Sequence, residues 1–342
     1  MNHSLDIYAK LHRDLITYFN GAIFTHLDLF LSLFFPFMPF IRHAHIISKK
    51  YSQLFRESLK QPDLIVKLKI EPYTGNNPYV QKTISHLHKR LSNDLLGAYI
   101  HGSLGTYEEI FYSDFDSLII LKDNVFKRPF RLFKVAMKLY SARSFMYTFD
   151  PLQHHGWFIL TETYLQHYPQ YCFPIELFKY AKSMFTDKGI VLEVKIQNSL
   201  EKTREAFYDL SNAIIKRLRD QNYPKNIYQL KLLLSQFMLL PVFYIQVRDG
   251  KGIYKKFSFE AAKADFCEDE WSIMNDVSLI RQDWAYSISP IKRWIIKSPT
   301  QFSRSIVMKF APGIPIKIKK KLTFDFFQRM ISLASSMQAK LN

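Results

Sequence analysis

The stretch from His101 to Leu121 reads HGSLGTYEEIFYSDFDSLIIL. It joins a Gly-Ser pair to two aspartates, Asp114 and Asp116, which stand just before the apolar run from Leu118 to Leu121. In a strand, residues two apart point to the same face, so both carboxylates are expected on one side and Phe115 in the core. Adjacent carboxylates repel each other unless a cation lies between them, so the pattern predicts a metal site.

The donor types indicate which metal and which ligand this site would take. Hard cations such as Mg²⁺ (or Mn²⁺) prefer oxygen ligands and complete their shell with water and substrate phosphates. Gly102 lets a phosphate approach the backbone closely, and Ser103 offers a hydroxyl and an N–H at the start of a possible helical turn. The stretch therefore predicts a triphosphate held by Gly102 and Ser103, with its metal ions on Asp114 and Asp116.

Gly-Ser, a spacer and Asp-x-Asp on a strand resemble the signature of the DNA polymerase β-like nucleotidyltransferase superfamily. The match covers Gly102, Ser103, Asp114 and Asp116, with the flanking strands GAYI and SLIIL. The resemblance implies two-metal transfer of a nucleoside monophosphate from a nucleoside triphosphate (NTP) to an acceptor hydroxyl, with release of pyrophosphate. An accidental Asp-x-Asp on a surface strand is the alternative interpretation.

The superfamily usually adds a third acidic residue from a neighbouring strand, and Asp150, which ends the segment RSFMYTFD, is the best placed. Glu162, at the far end of the next strand, is the second choice. Because Asp150 precedes a proline, ordinary turn chemistry is the alternative. The resemblance thus implies one set of catalytic and metal-binding residues: Asp114, Asp116 and Asp150.

Two further groups of residues belong to the predicted site. His154 and His155 are adjacent, so on a strand at most one of them is expected to face the site. The segment LPVFYIQVRDGKGIYKKFSFEAAKADF is loosely similar to the helical domain of several nucleotidyltransferases, in which basic residues close over the triphosphate. That likeness implies three cofactor-binding lysines, for which an exposed basic turn is the alternative: Lys251, Lys255 and Lys256.

The order of patterned segments predicts an α+β fold, with a small mixed sheet followed by an all-helical domain. PYTGNNP is turn chemistry, and Asn77 with Pro78 predicts the start of a helix. LLGAYIHG, SDFDSLIILK, RSFMYTFD and HGWFILTE are predicted strands, and PFRLFKVAMKLYSA a helix. The predicted domains are an N-terminal helical segment (1–74), a nucleotidyltransferase domain (75–165) and a C-terminal helical domain (175–342).

The chain carries 47 Lys and Arg against 30 Asp and Glu, for a formal net charge of +17. Such a balance favours polyanionic partners: nucleotide phosphates, RNA, DNA or an anionic membrane surface. Solubility alone is the alternative. The sequence leaves the acceptor open among an RNA 3′ end, a protein hydroxyl and a small molecule, and the charge favours RNA. Two cysteines without metal-ligand spacing imply neither a disulfide framework nor a zinc site, and fit a cytoplasmic protein.

The apolar segment LFLSLFFPFMPFI, from Leu29 to Ile41, contains two prolines and at 13 residues is too short to span a bilayer. A buried helix and turn is preferred over an interfacial membrane element or a docking face. Two other functions compete with the enzyme: a catalytically inactive member that only binds nucleotide or RNA, and a membrane-surface scaffold.

Overall fold

The computed structural model describes residues 3–20, 28, 34–35, 37–54, 64–166, 168–170, 173–185, 190–197, 200–297 and 309–342. The content of 61% helix and 11% strand, with small sheets, confirms the predicted α+β class. The described strands are β1 (Leu64–Ile70), β2 (Leu95–Ile100), β3 (Ser117–Leu121), β4 (Phe158–Thr161), β5 (Tyr168–Pro169), β6 (Lys182–Ser183) and β7 (Ile190–Gln197).

The described helices of the first half are α1 (His3–Phe19), α2 (Met38–Leu54), α3 (Pro78–Leu91), α4 (Gly102–Gly105), α5 (Pro129–Phe149), α6 (Glu162–Leu165) and α7 (Glu176–Lys179). Those of the second half are α8 (Leu200–Arg219), α9 (Ile227–Phe237), α10 (Leu240–Asp249), α11 (Lys255–Lys263), α12 (Glu268–Gln282), α13 (Pro290–Lys297), α14 (Ile316–Lys319) and α15 (Phe324–Leu341).

The sheet that carries the opening stretch has the strand order β4-β3-β2-β6. Strand β3 runs antiparallel to β2 and parallel to β4, and every residue of β3 is buried. A central strand covered on both faces reads as a continuous apolar run rather than an alternating one, as SLIIL does. The end of β3 nearest Asp116 therefore faces the loops that follow β2 and precede β4.

Helix α3 begins as the sequence predicts. Asn77 Oδ1 accepts hydrogen bonds from the backbone N–H groups of Tyr79 (3.1 Å) and Val80 (3.4 Å), and Pro78 occupies the first turn. These contacts satisfy two donors that the first turn of a helix otherwise leaves open. The predicted helix, its cap and its first residue are all confirmed.

Helix α5 continues to Phe149, so the predicted strand RSFMYTFD is wrong. Its buried residues Leu139, Ala142 and Met146 recur at intervals of three and four, which places them on one helical face. Packing of that face overrides the strand preference of the aromatic residues in this segment. Asp150 consequently caps a helix rather than ending a strand, and its N–H donates to Met146 O at 2.9 Å.

The prediction of an all-helical segment from residue 175 is also wrong, because it contains β6 and β7. Strand β7 pairs antiparallel with β1, from Leu64 opposite Ile196 to Ile70 opposite Ile190. Strand β1 lies within the segment 1–74, which is therefore not purely helical either. Burial alternates along both strands, a period-two pattern that was present in the sequence and overlooked.

The buried apolar residues form two clusters, one drawn from Leu11 to Ile196 and one that includes the residues from Phe207 to Met337. Three residues from the first half of the chain belong to the second cluster: Tyr112, Tyr147 and Leu152. Each of them is close in sequence to one of the predicted acidic residues. The candidate site therefore lies where the two clusters meet.

The predicted buried element at 29–41 is only partly described, since residues 29–33 and 36 lie outside the described residues. Phe34, Phe35 and Phe37 are 65%, 62% and 54% exposed, so burial is wrong for these three side chains. Among the described helices, the stretch Ile227–Asp249 is long and apolar enough to cross a membrane. Because 72% of its most apolar window is buried inside the protein, this is weak evidence for a span.

Candidate functional site

Asp116 lies against the backbone of Gly102. The N–H of His101 donates to Asp116 O at 3.0 Å, which continues the pairing of β2 and β3 beyond the strands. Gly102 has a φ of +63°, and a Cβ at this position would lie 2.3 Å from Asp116 Oδ2. Only glycine avoids both the backbone strain and the collision. The predicted helical turn follows as α4, with Ser103 half-buried beside Gly102.

Lys231 of α9 lies between Asp114 and Asp150. Its Nζ is 2.9 Å from Asp114 Oδ1 and 2.7 Å from Asp150 Oδ2. Lys231 is 1% exposed and Asp150 2% exposed, and a charged residue is almost never buried to this degree unless it is paired. The two predicted carboxylates are therefore brought together, but by an ammonium group that the sequence analysis did not identify.

Aromatic and hydroxyl groups hold Lys231 in place. The ring centroid of Tyr112 is 5.1 Å from its Nζ, within the range of a cation–π interaction. The Tyr112 hydroxyl donates to Lys231 O at 3.0 Å and lies 2.9 Å from Ser235 Oγ. These contacts tie α9 to the segment just before Asp114. The one sequence signal for Lys231 was a lysine inside the apolar helix IYQLKLLLSQF.

Both oxygens of Asp150 have partners, since Oδ1 accepts from Leu152 N at 2.9 Å and Oδ2 contacts Lys231. Burial and the charge of Asp114 raise the pKa of Asp150 to about 6, against the opposing effect of Lys231. Burial would also raise the pKa of Asp114, but the charges of Lys231 and the two histidines hold it well below its usual range. The contacts of Asp150 are those of a counter-ion, and its role as a metal ligand stays a prediction.

The loop before β4 brings both histidines to the aspartates. Gln153 accepts from Phe115 N at 2.7 Å and donates to Phe115 O at 3.0 Å, which fixes the loop to the Asp-x-Asp segment. His155 Nε2 then lies 3.0 Å from Asp116 Oδ1, and His154 Nδ1 lies 3.7 Å from Asp114 Oδ1. The expectation that at most one histidine faces the site is wrong, because this segment is a loop and not a strand.

The two histidines differ in their electrostatic surroundings. Burial lowers the pKa of His154 to about 4, so this imidazole is neutral at physiological pH. Burial also lowers the pKa of His155, but the hydrogen bond to Asp116 and the charges of both aspartates outweigh this effect. Together these raise the pKa of His155 to about 9.

Of the three predicted lysines, Lys255 is the one whose charge interacts with those of Asp116 and Asp114. It is half-buried at the start of α11, just after Tyr254, whose hydroxyl donates to Gly102 O at 3.3 Å. Burial and the neighbouring charge of Arg281 lower the pKa of Lys255 to about 8.

The other two lysines are exposed. Lys256 pairs with the exposed Glu108 at 2.6 Å, and Lys251 lies on the turn after α10. Neither the pair nor the turn is in contact with the aspartates in the described part of the chain.

Arg281 is a second cation of this region that the sequence analysis missed. Its guanidinium lies over the ring of Tyr112, 4.8 Å from the centroid. Its buried Nε has no hydrogen-bond partner among the described residues. Buried polar atoms are normally paired, so Arg281 and Lys255 form a cationic side of the site that is short of acceptors.

Comparison of the chain with known protein families, with curated proteins and with solved structures finds no match. The chemistry of the site is accordingly taken from the residues themselves.

These residues fit a divalent cation with a phosphate ligand. At neutral pH the three carboxylates, the ammonium of Lys231 and the protonated imidazole of His155 leave one negative charge, and loss of the His155 proton on metal binding would leave two. A divalent ion would balance two negative charges, and Asp114 Oδ1, which is buried and ion-paired with Lys231 at 2.9 Å, offers it an oxygen ligand. The open backbone at Gly102 and the cationic side of Lys255 and Arg281 suit a polyphosphate.

Proposed function

We propose that the protein is a metal-dependent nucleotidyltransferase that transfers a nucleoside monophosphate from an NTP to an acceptor hydroxyl and releases pyrophosphate. One observation carries the proposal. The Asp116 carboxylate lies against the backbone of Gly102, and the half-buried Lys255 interacts electrostatically with Asp116 and Asp114 from the helical half. Carboxylates, a glycine backbone without a side chain and a cation thus lie in one region of the protein.

Asp114 and Asp116 would hold the divalent ion, Mg²⁺ or Mn²⁺. When bound, the ion would neutralise phosphate charge and polarise the reacting phosphoryl group. Gly102 and Ser103 bind the outer phosphates through backbone N–H and hydroxyl groups, and Lys255 neutralises part of their charge. Asp150 enters this proposal as a positioning residue, since it holds Lys231, which in turn holds Asp114.

The acceptor that best explains the remaining charge is RNA. A single triphosphate engages two or three cations, whereas the chain has an excess of 17 positive charges. Phosphate contacts with a single strand make binding fall with salt at a log–log slope of roughly −0.7 per contact. A cytoplasmic location accords with the use of NTP and with the low cysteine count.

The test is incubation of the protein with each α-³²P-labelled NTP and Mg²⁺ or Mn²⁺, followed by tracing of label into RNA, protein and small-molecule fractions. Asp116→Asn keeps the side-chain shape and removes the charge. It should lower transfer by about 10²- to 10³-fold, comparable to the loss of other preorganised electrostatic groups. Asp209→Asn on the exposed face of α8 is the matched control and should transfer at the wild-type rate.

Absence of labelled product with every NTP and each acceptor fraction would contradict the enzyme proposal. A second function then takes its place: nucleotide binding without transfer. The observation that favours it is Lys231, whose ammonium stands between Asp114 and Asp150 where the superfamily would share a metal ion. Equilibrium binding of a labelled NTP in the absence of turnover distinguishes the two functions.

RNA as acceptor has its own test. Fluorescence anisotropy with labelled single-stranded RNA should report binding at low salt that weakens steeply at physiological salt. A protein that binds no RNA at low salt but still labels another fraction would have a protein or small-molecule acceptor instead.

A further inference from the structure

Two histidines accompany the carboxylates at the proposed metal site. Asp114, His154 and His155 each offer one ligand atom, and these atoms lie within 4.8 Å of one another. Ions bound at about 2.0–2.2 Å keep their ligand atoms within about 4.4 Å of each other. Small rotations of the imidazole rings therefore suffice to place all three side chains around one ion.

One atom of this cluster lacks the hydrogen-bond partner that buried polar atoms normally have. His154 Nδ1 is buried and has no hydrogen-bond partner among the described residues. Asp114 Oδ1 is ion-paired with Lys231 Nζ at 2.9 Å, so the unpaired atom of the cluster is His154 Nδ1. Unpaired buried donors and acceptors are rare, and an absent ion is a standard reason for them. The nearest atom to His154 Nδ1 in the cluster is Asp114 Oδ1, at 3.7 Å.

His155 has the second contact that metal-binding histidines usually have. Its Nδ1 lies 3.2 Å from Gly156 O, while its Nε2 faces Asp116 Oδ1 at 3.0 Å. An Nδ1–H that donates to a backbone carbonyl fixes the ring and leaves Nε2 as the ligand atom. The proton that Nε2 shares with Asp116 in the metal-free protein would be released when an ion binds.

Donor chemistry decides which ion such a cluster prefers. Mg²⁺ takes oxygen ligands and retains water, whereas imidazole nitrogen suits first-row transition metals. From the two histidines and Asp114 we infer that the site binds a divalent transition-metal ion in preference to Mg²⁺. The ligands are imidazole nitrogen as well as carboxylate oxygen, and Mn²⁺ is the probe for this class of ion. The inference rests on the proposed function for the role of the ion, and adds its ligands and its class.

The experiment uses the full chain, stripped of metal with a chelator and titrated with Mn²⁺ alone. Loss of the free Mn²⁺ signal in electron paramagnetic resonance gives the affinity, and pulsed measurements detect nitrogen bound directly to manganese. Nitrogen coupling is expected in the wild-type protein, and Mg²⁺ at about 100-fold excess should fail to displace the Mn²⁺.

Three variants make the measurement specific. His154→Gln and His155→Gln should each weaken Mn²⁺ binding at least about tenfold and reduce the nitrogen coupling. His45→Gln, at an exposed position of α2, should leave both unchanged. Circular dichroism establishes that each variant is folded, so that weak binding is not caused by unfolding.

Manganese bound without nitrogen coupling, or displaced by equimolar Mg²⁺, would overturn this inference. Unchanged Mn²⁺ affinity in both histidine variants would do the same, and NMP transfer in those variants would leave the proposed function intact. Conversely, nitrogen-coupled Mn²⁺ in a protein that transfers no nucleotide would support the metal site and contradict the proposed function.

Discussion

Lys231 and Lys255 enter the same site from the helical half, but their surroundings are opposite. Lys231 lies between two carboxylates, which outweigh the effect of burial and raise its pKa above the usual range. Lys255 is half-buried near Arg281, and burial with that neighbouring charge lowers its pKa to about 8. The structure gives Lys231 two ion-pair partners and describes none for Lys255.

This difference separates a cation that is paired within the chain from one that the proposed function assigns to a ligand. The charge of Lys231 is balanced by Asp114 and Asp150 of the same chain, so it does not need a ligand as its partner. Burial and Arg281 disfavour the charge of Lys255 more than Asp116 and Asp114 favour it, so an external anion would stabilise it further. The site thus has an acid end, where Lys231 pairs with Asp114 and Asp150, and a cationic end at Lys255, where the proposed phosphate would bind.

The largest expected effect is on stability at the acid end. Lys231→Met removes the ammonium and leaves Asp114 and Asp150 facing each other, so it should lower the free energy of unfolding by about 3–5 kcal/mol. Urea denaturation measures it. The double variant with Asp150→Asn should recover part of the loss, because one repelling carboxylate is gone. A change below about 1 kcal/mol in the single variant would mean that Lys231 is not the counter-ion of this pair.

The contribution of Lys255 at the cationic end to the stability of the fold should depend on pH. The pKa of Lys255 is about 8 in the folded chain and higher when unfolded, so its protonation destabilises the fold below pH 8. Lys255→Met should therefore stabilise the protein at pH 7, by up to about 3 kcal/mol, and the gain should disappear by about pH 10.4. Thermodynamic stability measured in urea at both pH values checks this. A pH-independent difference would contradict the assignment of the shift to Lys255.

Two glycines provide a matched pair for the backbone of the acid end. Gly102 and Gly250 have φ values of +63° and +66°, but a Cβ at Gly250 meets nothing within 4 Å, while one at Gly102 meets Asp116. Alanine at either position should cost about 1–2 kcal/mol of stability through left-handed backbone strain. Gly102→Ala alone should also weaken Mn²⁺ binding in a titration, because it displaces Asp116. Equal loss of binding in both variants would contradict the role of the close approach.

The smallest effect is expected at the exposed lysines. Lys256 and Glu108 form a pair with side chains 57% and 52% exposed, so Lys256→Met should change stability by less than about 1 kcal/mol. Its effect on NTP affinity should also be smaller than that of Lys255→Met, as measured by competition with a fluorescent nucleotide. A larger effect of Lys256→Met than of Lys255→Met on NTP affinity would indicate that Lys256 binds phosphate.

Local signals account for the parts of the fold that were predicted. The capped helix α3, the strand β2, the turn α4 and the buried strand β3 each follow from residues adjacent in sequence. The end of α5 was missed because aromatic residues favour strands locally, while the core stabilises them as a helix. Strands β1 and β7 were missed although their alternation was visible. Their pairing joins segments more than a hundred residues apart, which no local window reports.

The residues of the site also divide into those that the local sequence predicts and those whose contacts depend on distant segments. Phe115 is buried and the two aspartates are 14% and 26% exposed, as the Asp-x-Asp spacing predicts, although both aspartates precede β3 and do not lie within it. Lys231 and Arg281 were missed because their partners come from distant segments, although a lysine within an apolar helix was a usable signal. Strand geometry does not predict the contact of both histidines, because the segment that contains them is a loop.

The separation of Asp150 from Lys231 by 81 positions has a consequence for the order in which the protein is made. At the ordinary pace of translation, the ribosome adds Lys231 on the order of ten seconds after Asp150. Throughout that interval the nascent chain carries Asp114 and Asp150 without their ammonium, and Tyr112, Tyr147 and Leu152 without the core they complete. The site is therefore assembled after the first half of the chain is finished, and an unfinished chain offers chaperones an acidic and apolar surface that the complete protein hides.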